Sequence, residues 1–564
     1  MEVRPRRPNG RLMSVGIALA LTWTLLGYRL TIVQGANAGE FAEQGLLQRL
    51  ERRTLAADRG TIVDRDGREL AVTVDSTTVY ANPLEIEDPV AVARLLAPLV
   101  GREVVDVLDD LATDTEFVYI ARQLDPAVAD PIRQADLAGV YLLTEPKRVY
   151  PGGALAAHVV GFVRSDDNIG LEGLELFYDA ELAGRPGSLL VERDPRGLAI
   201  PQGEYQVEPA EPGSDLVLTI KTEIQFAATQ ALAAAMERTG AASGSVVVID
   251  PDTGEVLAMV NLPAYDPNAR GDIPDEALRN RAVTDVFEPG STQKVVTISG
   301  ALETGVVGPG SPFQIPEEIA ILDTVFEDFT EHADELTVTE IVTYSSNLGT
   351  ILIGEQLGAR RLHTYMSAFG QGTATGIDFP GEASGVLRAP EDWCLATCVA
   401  GTSIGYHVSV TALQMAMVYA TVANDGVWVQ PHLVSEIVRA DGTRIGFDVI
   451  ERRVLSAVTA AQMRSMLQAV VELGTGTRAA VPGYRVGGKT GTTEKYLESE
   501  QAYSDDAVVA SFIGMAPIAD PRVVVAVVLD SPVRDATGGR GAAPVFAAVT
   551  LAALNQLGVV PDAD

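Results

Sequence analysis

Residues 12–33 are the run in this chain that is long and apolar enough to cross a bilayer, and no later stretch matches it. As a helix, those residues rise roughly 33 Å, which covers the hydrocarbon core. Arg29 lies near the far end, where its long stem carries the charge to the interface. Arg4, Arg6, Arg7 and Arg11 come before the run, and a basic flank predicts a cytoplasmic N-terminus. A cleaved signal peptide is the competing reading, because Ala36-Asn37-Ala38 resembles a cleavage site. Arg29 lies between the uninterrupted apolar stretch, which closes at Leu26, and that triplet, which favours a retained anchor. The expected plan is a cytoplasmic tail (1–11), a transmembrane anchor (12–33), and everything beyond residue 34 outside the cytoplasm.

The 564 residues, 47% of them hydrophobic, have room for two or three domains. A formal net charge of −34 argues against nucleic acid, since a polyanion repels such a surface. Lysine is scarce: Lys147, Lys221, Lys294, Lys489 and Lys495 stand against many arginines. Two of these fall in motifs where a proton must be given up, which arginine does not do. Cys394 and Cys398 sit four apart, compatible with a local disulfide or with two buried thiols. The histidines show no metal-ligand spacing, so neither a metal nor a cofactor is expected.

The pattern at 34–53 (Phe41, Leu46, Leu47, Leu50) is helical and reads as a stalk. Arg59 to Gly67 reads as a strand closed by an Asp-Gly turn, with alternation resuming from Leu70 to Tyr80. Residues 88–140 read as short helices and 141–215 as strands and Gly/Pro-rich loops. In the second half, 245–250 and 255–260 form a hairpin, and 507–515 and 522–529 another, preceded by a strand from Tyr484 that ends at Lys489 to Thr493. Helices are expected at 291–303, 338–356, 411–423, 458–473 and 541–556. Strands at both ends with helices between them imply an α+β fold with one antiparallel sheet built from distant segments.

Three strings lie in that half: Ser291-Thr292-Gln293-Lys294, Ser345-Ser346-Asn347 and Lys489-Thr490-Gly491-Thr492. Pro289-Gly290 breaks the chain before Ser291, which places the serine at a helix start with Lys294 on the same face. A serine hydroxyl needs a base to become a nucleophile, and a buried lysine amine is one. Ser345 and Asn347, alternate residues of a turn or extended segment, face one cleft as proton relay and amide positioner. Gly491 lets a substrate approach the strand, and Lys489, Thr490 and Thr492 hold a carboxylate. The backbone N–H groups of Ser291 and Thr492 are candidates for an oxyanion hole. Each string alone fits an ordinary cap, turn or strand end. Together, in this order, they indicate an activated-serine acyltransferase, the set shared by penicillin-binding proteins and class A β-lactamases.

Further boxes carry a closer resemblance. They are Arg59 to Gly67, Tyr150-Pro151 through His158 to Gly161, Gly170 to Glu175, Leu262 to Asn268, Asn280 to Val283, Phe287 to Gly290, Ser403 to Tyr406, and Gly539 to Phe546. With them the chain resembles the class B penicillin-binding proteins, and within these the septal FtsI-like transpeptidases. The resemblance implies an elongated β-rich pedestal of dimerisation type (34–215), a serine β-lactamase-like transpeptidase domain (216–558), and a short tail (559–564). It implies that Ser291 attacks the penultimate D-Ala carbonyl of a peptidoglycan stem peptide and that a second stem peptide's amine takes the acyl group. β-Lactams are the implied covalent inhibitors. An FtsW-like glycosyltransferase and other divisome membrane proteins are the implied partners.

Gln293 stands where the family often has an aromatic, and His407 where it usually has glycine; Glu494 and the cysteine pair are also unusual. A β-lactamase would be shorter and would carry a deacylating base that this chain does not display. A sensor would need more than eleven residues inside the cell. The short spacing from Asp266-Pro267-Asn268 to Asn280 resembles the septal group more than the elongation group.

Overall fold

Gly10–Thr31 is a single helix whose polar side chains do not interrupt it. Ser14, Thr22, Thr24 and Thr31 each donate to the carbonyl four residues back, at 2.7–2.9 Å. In an apolar medium such a bond removes the cost of an unpaired hydroxyl. The helix is long and apolar enough to cross a membrane. The computed structural model describes residues 10–36, 39, 49–192, 200, 205–269, 271, 273–322, 324–394, 397–497 and 502–563. The chain divides into two compact units, Met1–Asp58 with Gly184–Pro212, and Arg59–Ala183 with Gly213–Asp564.

In the first unit, Leu50–Leu55, Gly187–Glu192 and Tyr205–Glu208 form a three-stranded antiparallel sheet. The helical stalk expected to 53 is therefore wrong at its end, where cross-strand pairing overrides the helical spacing. Most of the rest of that stretch lies outside the described residues.

The second unit begins with Arg59. Ile62–Val63 runs parallel to Asp215–Leu218, which pairs antiparallel with Val434–Val438, so distant parts of the sequence share one sheet. Glu69–Ala81 pairs at its start with Ile62–Val63, from Val72 onward with Val140–Val149, and from Thr77 with Val118–Leu124. The last of these falls inside the region read as all helical. Val118, Tyr119 and Ile120 are β-branched or aromatic and favour the strand that the helical reading overlooked. Helices Pro89–Val100, Val104–Leu111 and Pro126–Ala135 pack apolar faces on that sheet through Leu96, Val107, Leu111 and Ile132.

The rest of this unit is built on five strands and eight of its helices. In chain order these are α1 (Thr222–Thr239), β1 (Ser243–Ile249), β2 (Val256–Leu262), α2 (Lys294–Glu303), α3 (Val338–Tyr344) and α4 (Asn347–Leu357). They continue with α5 (Thr397–Ser403), α6 (Ala412–Ala423), α7 (Ala457–Glu472), β3 (Gly487–Leu497), β4 (Ala502–Ala516), β5 (Val523–Asp530) and α8 (Ala543–Gln556). The sheet order is β2-β1-β5-β4-β3, antiparallel throughout, as the strand groups at both ends of the domain predict.

Near-continuous apolar strands such as Val523–Leu529 require both faces of a sheet to be covered. Alternate residues do go to different layers. Val246 and Val248 pack with Ile224, Leu232 and Phe546 of α1 and α8. Val247 and Ile249 belong to the core that contains Val296 of α2 and Met417 of α6. Helix α6 is buried on every side, which is why it is apolar all round.

Candidate active site

Pro289 and Gly290 set the entry to α2. Gly290 has φ +52°, and a Cβ there would lie 2.2 Å from Thr493 Oγ1, so only glycine fits. Gly290–Gln293 is one 3₁₀ turn, and it passes directly into α2. It is pinned by Thr292 Oγ1 to Pro289 O at 2.7 Å and by Tyr419 OH of α6 to Thr292 O at 3.1 Å. Ser291 is half-buried, whereas the three residues that follow it are buried.

The second string sits differently from expectation. The helix read over 338–356 breaks in two, and the string forms the corner between the halves, the turn rather than the extended alternative. Ser345 has φ +61°, the left-handed conformation that ends α3. Ser346 is the N-cap of α4 and accepts from Gly349 N at 2.9 Å. The corner still turns Ser345 and Asn347 to the same place. Lys294 Nζ donates to Ser345 O at 2.6 Å and to Asn347 Oδ1 at 2.7 Å, with Ser345 Oγ at 3.3 Å.

Lys489 completes the cluster from β3: its Nζ lies 2.8 Å from Ser345 Oγ and 3.2 Å from Thr490 O. Ser345 Oγ therefore stands between two lysine amines. The strand does not end at Thr493 as expected but continues to Leu497, paired with β4 along that length. The space beside Gly491 is taken by the protein itself: a Cβ would lie 2.4 Å from Ser511 Oγ and 3.0 Å from Pro289 O. Thr490 Oγ1 is bonded to Thr475 Oγ1 at 2.8 Å, and Thr492 Oγ1 accepts from Gly538 N at 3.2 Å.

Both lysines are fully buried. Burial disfavours the charged amine, and it brings the pKa of Lys294 down to about 7 against a smaller opposing pull from Asp328. Burial, with the Lys294 charge beside it, holds Lys489 well below the usual lysine range. Ser345 O and Asn347 Oδ1 only accept, so they take two N–H groups of Lys294 and leave its third position for a lone pair. Such an amine is equipped to receive a proton near neutral pH.

The departures from the family pattern have local explanations. Gln293 and Gln371 form a reciprocal amide pair at 3.0 and 2.6 Å, which satisfies both groups where an aromatic would have packed. His407 adopts φ +63°, the conformation that favours glycine, and its N–H is tied to Glu288 Oε1 at 2.8 Å. Cys394 and Cys398 form a disulfide that ties the segment before α5 to its first turn. Sequence reasoning missed Asp328, Glu327 and Thr475, which contact the strings from loops that carry no motif. An Asp followed four residues later by one of only five histidines was the available signal.

Comparison with known proteins adds to this geometry. Residues 244–551 match the penicillin binding protein transpeptidase domain, and residues 54–218 match the penicillin-binding protein dimerisation domain. The chain is 37% identical to penicillin-binding protein PbpB of Mycobacterium tuberculosis, over 87% of this chain and 76% of that one. It is 33% identical to peptidoglycan D,D-transpeptidase FtsI of Escherichia coli, over 97% of this chain and 91% of the relative. The crystal structure of penicillin-binding protein 3 of Mycobacterium tuberculosis, complexed with aztreonam, superposes with a TM-score of 0.71 at 32% identity. That match covers 90% of this chain and 98% of the crystallised one. Two buried lysines meeting on one serine hydroxyl, beside a second serine at a helix start, are thus carried on a fold and sequence that make this chain a member of the class B penicillin-binding proteins, the peptidoglycan D,D-transpeptidases.

Proposed function

We propose that this transpeptidase cross-links stem peptides at the division septum, with Ser291 as nucleophile and Lys294 as its base. The observation that carries the assignment is Ser345 Oγ held between Lys294 Nζ and Lys489 Nζ. In the first half-reaction Ser291 Oγ attacks the penultimate D-Ala carbonyl, and its proton passes to Lys294. Ser345 relays a proton to the departing amine, so that D-Ala leaves and an ester to Ser291 remains. In the second, the amine of a neighbouring stem peptide attacks that ester, a proton returns to Ser291, and the peptide bond is complete.

Asn347 positions both the substrate amide and Lys294. Lys489, Thr490 and Thr492 receive the terminal carboxylate, and Gly491, with no side chain, lets the serine turn pack against the strand that carries them. Arrival of that negative charge favours protonation of Lys489, so binding and charge rise together. The Ser291 and Thr492 backbone N–H groups serve the oxyanion, since the serine turn abuts β3 at Gly491 and Thr493. β-Lactams acylate Ser291 as mimics of the D-Ala-D-Ala end.

In this reading residues 34–215 are a non-catalytic pedestal and 216–558 the catalytic domain, outside the cytoplasm. The apolar N-terminal helix then crosses the membrane once, N-terminus inside, beside an FtsW-like glycosyltransferase. Labelling by a fluorescent penicillin is expected to vanish in Ser291→Ala; equal labelling of the two proteins would remove Ser291 from the chemistry. A fluorescent fusion is expected at midcell in dividing cells, and a fusion spread along the side wall would replace the septal role with elongation.

A further inference from the structure

A loop outside the three strings, residues 327–334, grips the corner that presents Ser345 and Asn347. The Asp328 carboxylate, only 7% exposed, accepts from Ser346 Oγ at 2.7 Å, from Asn347 N, and from Leu348 N at 3.2 Å. Those N–H groups open α4, where a helix has donors without internal partners and favours an anion. Glu327 O accepts from Asn347 Nδ2 at 3.0 Å, which decides the orientation of that amide. Oδ1 is left for Lys294, 2.7 Å away, as a lysine amine requires.

His332 backs the carboxylate. Its Nε2 lies 2.7 Å from Asp328 Oδ2 and its Nδ1 2.9 Å from Ala333 O. Both partners only accept, so this geometry needs a proton on each ring nitrogen, the imidazolium form. Burial opposes that charge, but the bonds to Ala333 and Asp328 outweigh it and raise the pKa above its ordinary value. The titratable groups around the cluster are Lys294 on α2, Lys489 on β3, and Asp328, His332 and Asp334 on the loop.

We propose that Asp328, backed by His332, is the positioning residue that holds Ser345 and Asn347 against Lys294 and sets the charge around that base. The proposal rests on the reading of Ser291 and Lys294 as nucleophile and base. Its sign is fixed by electrostatics. Removing the Asp328 charge destabilises the Lys294 ammonium, whereas removing the His332 charge stabilises it.

The test is the pH dependence of penicillin acylation by the full-length protein, with D-Ala release from a stem-peptide analogue followed in parallel. Asp328→Asn is expected to lower acylation and kcat on the order of 10- to 100-fold, with KM nearly unchanged, as loss of positioning does. The acid limb of its profile moves to lower pH. In His332→Gln the rate falls less and the acid limb moves to higher pH, while Asp328→Glu restores part of the rate. Limbs that stay in place, or move in the same direction, overturn the proposal whatever the rates do. Should Asp328→Asn melt too early to assay, His332→Gln decides alone, and an unshifted limb there has the same consequence. Undiminished labelling of Ser291→Ala would instead overturn the parent reading, so the two failures are distinct.

Discussion

Two clusters of buried charge in this protein obey opposite rules. Near the start of the second unit, Glu175 is fully buried between Arg59 at 2.6 Å and Arg148 at 2.7 Å, and Arg59 also reaches Asp179 at 2.8 Å. Each charge there has an opposite within hydrogen-bonding distance. Around Ser345, Lys294 and Lys489 are equally buried but meet only a serine hydroxyl and neutral acceptors. In the first cluster, ion pairing offsets desolvation. In the second, burial lowers the proton affinity of both amines because nothing comparable pairs them, and an amine so placed is suited to accept a proton as a base. Residue type follows the contrast: arginine, which does not titrate, makes the buried ion pairs, and lysine, which does, occupies the proposed site.

That contrast can be broken experimentally. The largest effect is expected for Lys294→Arg, which keeps a cation in the cleft but cannot take a proton from Ser291. Penicillin acylation should fall on the order of 10²- to 10⁴-fold, the range of general-base catalysis. The native rate should climb as pH rises through about 7, where Lys294 loses its proton, and the variant should lack that climb. A variant that retains both rate and pH dependence would strip Lys294 of its role.

A smaller effect, on stability alone, is expected for Glu175→Gln. Leaving two buried guanidinium groups short of their counter-charge should cost about 3–5 kcal/mol, read as a lowered melting temperature. Acylation per folded molecule should match the native protein at a temperature where both are folded. A slower acylation in the folded state would mean that the arginine cluster also serves the cleft, and the contrast would lose its sharpness.

The legible parts of the molecule are those governed by local periodicity. The hairpin of β1 and β2, the strands β4 and β5, and helix α6 follow from apolar pattern and turn residues alone. The misreadings sit where tertiary contact overrules pattern. Leu50–Leu55 is a strand because Gly187–Glu192 pairs with it. The apparent helix over 338–356 breaks at Ser345 because Ser346 caps the next one and Asp328 ties its first N–H groups. The strand bearing Lys489 runs on to Leu497 because β4 is long enough to pair with it.

The sequence by itself determined the inventory: one membrane-length apolar run, and three short strings to which the proposed function gives a nucleophile, its base and a carboxylate wall. Those are matters of residue type and order, which the chain carries without folding. What only the tertiary structure decided is the environment. Lys294 and Lys489 lie far apart in sequence, and no spacing rule states that both lose solvent against Ser345. Their lowered affinity for protons is a property of burial and of each other's charge, and these exist only once the sheet and helices have closed around them. The disulfide between Cys394 and Cys398 was open for the same reason, since four residues of separation admit either state until the backbone brings the two sulfurs together.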